Sequence, residues 1–353
     1  MLFYIESIIY EENKQQVKPR VSIIIPVYNK RNYISACLNA LLSQKYEHYE
    51  IILIDDGSTD GSGELLDELA MEYNRIMIRV YHQKNQGVAV ARNKGLELAE
   101  GEWVWFVDAD DIPNNSWLNE IEKYLKDGKY DIIFSNYTKV FSDKNEVVDI
   151  NIEGEISESE LPQIFMNLQY KNGYFGYLWC KLLKRSFIEK NHIFFTPGLT
   201  LAEDLKFLVE LYQNKPKTLF VKTNAYNYTV DAINSSKDKD IEYVDQLAIH
   251  YEIYLWIKDT ACFSIYKSEL IKHISYYIAF VFFYGFEKNG SIKEAVQWLE
   301  KNPHYQNCLE GKDLTGIMKL IVLLLKHGQY DFLSGMLRIR TLLRNIYRGI
   351  RRL

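Results

Sequence analysis

The side chains that could do chemistry in this chain are carboxylates, and they gather in three places. Asp108, Asp110 and Asp111 fall within four residues, directly after the apolar run Trp103-Val104-Trp105-Phe106-Val107. Asp55 and Asp56 follow a second apolar run, Tyr49-Glu50-Ile51-Ile52-Leu53-Ile54, and Glu203-Asp204 precede an apolar helical pattern of Leu205, Leu208, Val209 and Leu211. Acids this crowded repel one another unless a cation is present. An all-oxygen donor set suits a hard divalent ion, Mg²⁺ or Mn²⁺, of the kind that also holds substrate phosphates. Plainer accounts exist for two of the groups. Asp111 could cap a helix starting near Pro113, and Glu203-Asp204 could simply be anions favoured by a helix N-terminus. The cysteines (Cys37, Cys180, Cys262 and Cys308) are scattered without metal or disulfide-framework spacing and fit a reducing compartment. His250, His273 and His304 also lack ligand spacing and read as structural.

In open α/β sheets ligands bind at the carboxyl ends of strands, so the elements carrying these acids matter. Val21-Ser22-Ile23-Ile24-Ile25-Pro26 reads as a buried strand stopped by proline, with Val27-Tyr28-Asn29-Lys30 as its exit loop. Residues 33–42 carry apolar side chains at helical spacing, and residues 49–54 form the second strand. Asp55-Asp56-Gly57-Ser58-Thr59-Asp60-Gly61-Ser62 then supplies turn residues and caps for a helix over residues 63–73. Residues 76–82 read as the third strand, Asn85-Gln86-Gly87 as a turn, and residues 88–99 as an amphipathic helix carrying Arg92, Asn93 and Lys94. Trp103 to Val107 is the fourth strand, too uniformly apolar to be half exposed, and residues 130–136 form another. This alternation predicts an α/β fold with a doubly wound, mostly parallel sheet and helices on both faces. Neither G-x-G-x-x-G after the first strand nor G-x-x-x-x-G-K-[ST] anywhere occurs, which excludes a glycine-built phosphate cradle.

At 353 residues the chain can hold an α/β domain and a smaller attachment. Its net charge of −5 provides no global basic field for nucleic acid. Residues 1–20 lack the apolar core of a signal peptide and read as an N-terminal extension. The longest apolar runs, residues 276–286 and 317–325, are short of the ~20 residues a bilayer crossing needs. The expectation is a soluble, cytoplasmic protein that can still meet the inner face of the membrane.

Four signals recur in order: Pro26-Val27-Tyr28-Asn29, Ile54-Asp55-Asp56-Gly57-Ser58-Thr59-Asp60, Asn85-Gln86-Gly87 with Ala91-Arg92-Asn93, and Asp108-Ala109-Asp110-Asp111. Together they closely resemble the family 2 glycosyltransferases of the GT-A fold, well over residues 21–137 and more loosely to about residue 236. The resemblance implies a glycosyltransferase domain over residues 21–236, divided into a nucleotide-binding half (21–136) and an acceptor half (137–236). It implies that Pro26, Val27, Tyr28 and Asn29 line the substrate, with Tyr28 stacking on uracil and Asp56 accepting the uracil imide N–H. Arg92 would neutralise a diphosphate or brace the acidic loop. Asp108, with Ala109, would reach the ribose, and Asp110 would hold Mn²⁺ or Mg²⁺ against the donor phosphates. Residues 177–187 resemble the family segment in which a tryptophan and a lysine precede a basic turn, making Lys181 a diphosphate contact or a plain surface lysine. Asp204 matches the family's general base and Glu203 would orient the acceptor. Asn234-Ser235-Ser236 matches a family position before a flexible loop, while the arginine often found near positions 229–230 is missing.

The implied activity is metal-dependent, inverting transfer from a UDP-sugar to a hydroxyl of a glycan or a lipid-diphosphate-linked saccharide, in bacterial capsule, exopolysaccharide or O-antigen synthesis. A non-catalytic nucleotide- or carbohydrate-binding protein on the same fold is the rival from another class, and the intact Asp108, Asp110 and Asp204 argue against it. A nucleotidyltransferase would open with a glycine- and arginine-rich phosphate loop, which Pro26-Val27-Tyr28-Asn29 is not.

Residues 237–353 depart from the shared pattern and read as a helical region, with helices over 241–257, 268–286, 292–301 and 314–326. Its end, residues 337–353, holds six arginines and no acid, with Ile339, Leu342, Leu343, Ile346, Ile350 and Leu353 at helical spacing. Such a basic amphipathic helix suits an anionic membrane surface, or else docks its apolar stripe on the preceding helices.

Overall fold

A computed structural model describes residues 18–73, 77–199, 201–230, 243–310 and 314–350, with side chains as far as residue 342 in the last helix. Residues 1–17 of the N-terminal extension, and Asn234-Ser235-Ser236, lie outside the described residues. The chain divides into two compact units, Met1–Lys239 and Asp240–Leu353.

In the first unit the apolar runs become adjacent strands. Strands β1 (Val21–Val27), β2 (Tyr49–Asp55), β3 (Met77–His82) and β4 (Trp103–Phe106) are parallel, in the order β3-β2-β1-β4. They are linked by helices α1 (Ile34–Leu42), α2 (Ser62–Glu72) and α3 (Val88–Leu98). All seven residues of β2 are buried, including Glu50, whose carboxylate is consumed by the Ser22 hydroxyl, the Glu100 backbone N–H and Arg79. Helix α3 approaches the sheet at Gly95, where a Cβ would sit 2.2 Å from Ile24 Cγ2. Glycine is what lets that helix press onto β1.

Beyond β4 the sheet becomes mixed. The next elements are β5 (Ile112–Pro113), α4 (Trp117–Glu120), α5 (Glu122–Asp127), β6 (Ile132–Val140), β7 (Asn145–Val148), β8 (Gly154–Ile156) and α6 (Leu161–Asn172). After them come β9 (Lys181–Lys184), α7 (Arg185–Lys190), α8 (Glu203–Gln213) and β10 (Thr218–Thr229). β9 enters antiparallel between β4 and β6, and β6 then pairs in parallel with β10, giving one ten-stranded sheet in all. β6 and β7 form an antiparallel hairpin, and β8 adds antiparallel to β10. No helix starts at Pro113, which lies in β5 against Tyr226, so Asp111 is not a helix cap.

The second unit is helical: α9 (Tyr243–Lys258), α10 (Phe263–Asn289), α11 (Lys293–Lys301), α12 (Gly316–Lys326) and α13 (Tyr330–Ile350). Its core gathers Leu247, Ile274, Ile278, Phe282, Ile321, Val322, Leu325, Leu333 and Leu337. Leu333 and Leu337 dock into the core and Arg340 lies over the Phe283 ring, whereas Phe332, Ile339 and Leu342 stay exposed. The side chains of Leu343, Ile346 and Ile350, and all of Leu353, lie outside the described residues. Among the described residues, no helix is long and apolar enough to cross a membrane.

Candidate active site

The carboxyl ends of β1, β2 and β4 and the start of α8 bring most of the singled-out residues together. At the end of β1, Pro26 pairs with Ile54 and Val27 is wholly buried, so Val27 acts through its carbonyl, which accepts the Asp56 N–H at 2.8 Å. Tyr28 is 47% exposed, with a face open to a ligand. Asn29 adopts the left-handed conformation (φ 53°), which asparagine tolerates. It ties the β1 and β2 loops: its N–H donates to Ser58 Oγ at 3.0 Å and its Oδ1 accepts the Thr59 N–H at 2.8 Å.

Asp56 is buried and heavily engaged. Its Oδ1 accepts from Gln83 Nε2 (2.8 Å) and the Gln86 N–H (2.9 Å), and its Oδ2 accepts the Gly87 N–H (2.9 Å). The Asn85-Gln86-Gly87 turn is thus folded around this carboxylate. Gly57 beside it needs its positive φ of 71°, and a Cβ there would meet the Asn85 nitrogen at 2.7 Å.

The acids after β4 are held differently, by cations. Arg92 on α3 has only 7% of its side chain exposed; it pairs with Glu203 at 2.7 Å and with Asp108 at 3.3 Å. Arg92 therefore braces the acidic loop to α8, and its guanidinium lies 5.4 Å from the Phe195 ring. That ring is stacked on Phe207 at 4.1 Å and 2°, an apolar floor that strengthens the ion pairs above it. Lys30, just past Asn29, reaches across to Asp110 Oδ2 at 2.5 Å. The Asp108 N–H donates to Tyr226 Oη at 2.9 Å, and Asp111 Oδ1 accepts the Thr229 N–H at 3.0 Å, so the end of β10 also fixes this loop. Ala109 is buried between them.

Glu203 and Asp204 open α8 after Ala202, which is left-handed (φ 61°, ψ 30°). An alanine there is strained, and strain of this kind clusters at functional sites. The burial of Asp204, and next the charge of Glu203, push its carboxyl up to about 7, with Arg92 opposing. Asp111 is pushed up to about 8 by burial and by Asp108, and Asp108 itself is raised by burial despite Arg92. A carboxyl near 7 is matched to proton abstraction at neutral pH.

Lys181 is the correction. It is neither a diphosphate contact nor a surface lysine: its side chain is wholly buried. Its ammonium donates to the Tyr174 carbonyl at 2.8 Å and to the Tyr177 carbonyl, and lies over the Phe134 and Tyr174 rings. Its charge is spent closing the turn before β9. Sequence reasoning also missed Lys30 and Tyr226. Lys30 had a readable signal, a cation in the exit loop of β1. Tyr226 had none, since only tertiary packing on Trp179 (ring centroids 4.7 Å apart) aims its hydroxyl at Asp108.

Among the described residues, no three His, Cys, Asp or Glu side chains are grouped to hold a metal by themselves. The donor chemistry nevertheless fits a hard cation. Asp108, Asp110 and Asp111 offer oxygen only, and two of the three are raised by burial and by one another's charge. An ion placed there would take one or two carboxylates and complete its shell with phosphate oxygens and water.

Residues 22–191 match the family model described as glycosyl transferase family 2. The glycosyltransferase GlyG of Streptococcus pneumoniae is 32% identical over 215 residues, covering 59% of this chain and 70% of that one. EpsH of Bacillus subtilis is 32% identical over 214 residues, 60% of this chain and 61% of that protein. The chain thus spans about three fifths of the length of EpsH. Among solved structures, S. aureus TarS in complex with UDP-GlcNAc superposes with a TM-score of 0.59 at 21% identity, over 83% of this chain and 82% of that one. This likeness carries the α/β sheet and the helical region that follows it.

Proposed function

The chain belongs to glycosyl transferase family 2, and from that premise we propose that it moves a sugar from a UDP-sugar to a hydroxyl of a glycan or a lipid-diphosphate-linked saccharide, with inversion, in cell-surface polysaccharide synthesis. One observation carries this reading: Asp204, its carboxyl pushed up to about 7, directly follows Glu203, which Arg92 ties to Asp108 of the acidic loop after β4.

Tyr28 offers its exposed ring to the uracil, and Asp56 presents an already oriented carboxylate to the imide N–H. Asp108 takes the ribose, steadied by Arg92 and by its backbone bond to Tyr226. Asp204 removes the proton from the acceptor hydroxyl as that oxygen forms its bond to C1 on the face opposite the diphosphate. The C1–O bond breaks, its electron pair goes to the β-phosphate oxygen, and UDP leaves. Glu203, anchored by Arg92, keeps its neighbour and the acceptor in place. Mn²⁺ or Mg²⁺, held through Asp110 with Asp108 at hand, supplies charge neutralisation for the diphosphate when bound.

The partner surface we propose for the second unit is an anionic membrane. Leu320 and Leu323 on α12, and Phe332, Ile339 and Leu342 on α13, are exposed apolar side chains. They precede the acid-free, arginine-rich end of the chain, and this combination supports interfacial binding.

The test is UDP release from a panel of UDP-sugars with a lipid-linked acceptor. Asp204→Asn keeps shape but removes basicity, so kcat should fall by roughly two orders of magnitude or more with donor affinity little changed. The wild-type rate should rise with pH through an acid limb near 7 that the variant lacks, because the base acts only when deprotonated. Donor affinity that collapses while kcat survives would move Asp204 into the binding site.

A further inference from the structure

Lys30 bridges two parts of the donor site. Its backbone N–H is fixed on Ser62 Oγ at 2.9 Å, in the loop between Tyr28 and α1. Its side chain leaves that loop and ends on Asp110 Oδ2, with the Tyr33 ring 5.7 Å from the ammonium. The pair is half open: 28% of the Lys30 side chain and 26% of Asp110 face solvent. The Arg92 pair is a contrast within the same site, because Arg92 is enclosed by two acids and a phenyl ring and cannot move without stranding them. Lys30 carries a compact charge on a flexible stem in a solvent-reaching pair, so exchanging one anion for another costs it little.

We infer that Lys30 is a positioning residue: it occupies Asp110 while the donor site is empty, and transfers to the diphosphate when a divalent cation takes that carboxylate. The inference rests on the reading of Asp110 as the cation's ligand. An ammonium and a divalent ion drawn to one carboxylate repel each other, so each weakens the hold of the other. Without nucleotide, the anions left to the displaced ammonium are those of the same acidic loop, Asp108 among them, where it still faces the cation. With a diphosphate present it gains an anion outside that loop. Cation binding therefore depends on nucleotide, and Lys30 imposes the order.

Binding of Mn²⁺, followed by loss of the free-ion electron paramagnetic resonance signal, tests this with UDP alone and no turnover. The full chain is compared with Lys30→Met, Lys30→Arg and Asp110→Asn. Wild type should bind Mn²⁺ well only with UDP. Lys30→Met should bind Mn²⁺ without UDP roughly fivefold more tightly than wild type, the scale of a half-exposed ion pair. The same variant should bind UDP more weakly in the presence of Mn²⁺, and Lys30→Arg should restore the wild-type pattern. An unchanged nucleotide-free Mn²⁺ affinity in Lys30→Met overturns the inference, as does wild-type binding indifferent to UDP. Asp110→Asn separates the layers. If it leaves Mn²⁺ binding intact, the reading of Asp110 fails; if it abolishes binding while Lys30→Met changes nothing, only the role of Lys30 fails.

Discussion

Two acidic strand ends sit in one sheet and are stabilised by opposite means. After β2, Asp56 is met by neutral donors, two of them backbone N–H groups of a single turn. After β4, Asp108 and Asp110 are met by the cationic side chains of Arg92 and Lys30, which come from other elements. A carboxylate held by fixed amides keeps its position whatever the local charge. A carboxylate balanced by a side chain that can move, as Asp110 is by Lys30, can change partners, which suits a place where a diphosphate and a cation come and go. The first arrangement fits recognition of a flat base and the second fits handling of charge. The contrast follows from what each loop can offer: Asn85-Gln86-Gly87 has free N–H groups, and the loop after β4 has mostly acids.

Substitutions can break this contrast, and the largest effect is expected at Arg92. Arg92→Met leaves the largely buried Glu203 and the part-exposed Asp108 without a counter-ion and should cost about 3 kcal/mol of stability, read as a lower urea midpoint. Asp56→Asn keeps an acceptor but turns an amine towards buried donors, and should cost about 1–2 kcal/mol. A loss at Asp56 equal to that at Arg92 would erase the distinction. The pH dependence sharpens it. The carboxyl of Asp111 is about 8 in the folded state, above its ordinary 3.8, so between those values the folded chain keeps a proton that the unfolded chain releases. Its stabilising effect is complete below about pH 4 and disappears as pH rises through 8. Asp111→Asn can still accept the Thr229 N–H but does not titrate, so its urea midpoint should fall less than that of wild type between pH 5 and pH 8. The smallest change is Ala202→Gly. It relieves left-handed strain but adds freedom to the unfolded chain, for a net gain of about 0.5 kcal/mol in chemical denaturation.

Much of this was legible before the structure. The runs at Val21, Tyr49 and Trp103 are too apolar for anything but buried strands, and acids at their ends are visible in one dimension. The helices of the second unit were readable from apolar spacing, with boundaries shifted by a few residues. What stayed hidden depends on partners distant in sequence. Lys181 looks like a surface residue because lysines are rarely buried, and nothing local announces that the Tyr174 and Tyr177 carbonyls await its ammonium. Asp111 resembles a helix cap until Thr229, far along the chain, supplies the N–H it accepts. The switch to a mixed sheet was unreadable for a similar reason. Lys181–Lys184 is a four-residue strand, and its direction is decided by the gap between β4 and β6 rather than by its own residues.

The closed turn before β9 has a consequence for reactivity. An amine that donates to two carbonyls, lies over two aromatic rings and has no solvent contact is sealed from any reagent dissolved in water. Burial also lowers its affinity for the proton, an effect that ends once the chain opens. Acylating or alkylating chemistry would pass over Lys181 while reaching exposed amines, and would touch it only when β9 parts from β6. Its slow acquisition of a label would then be a clock that counts openings of the sheet's middle.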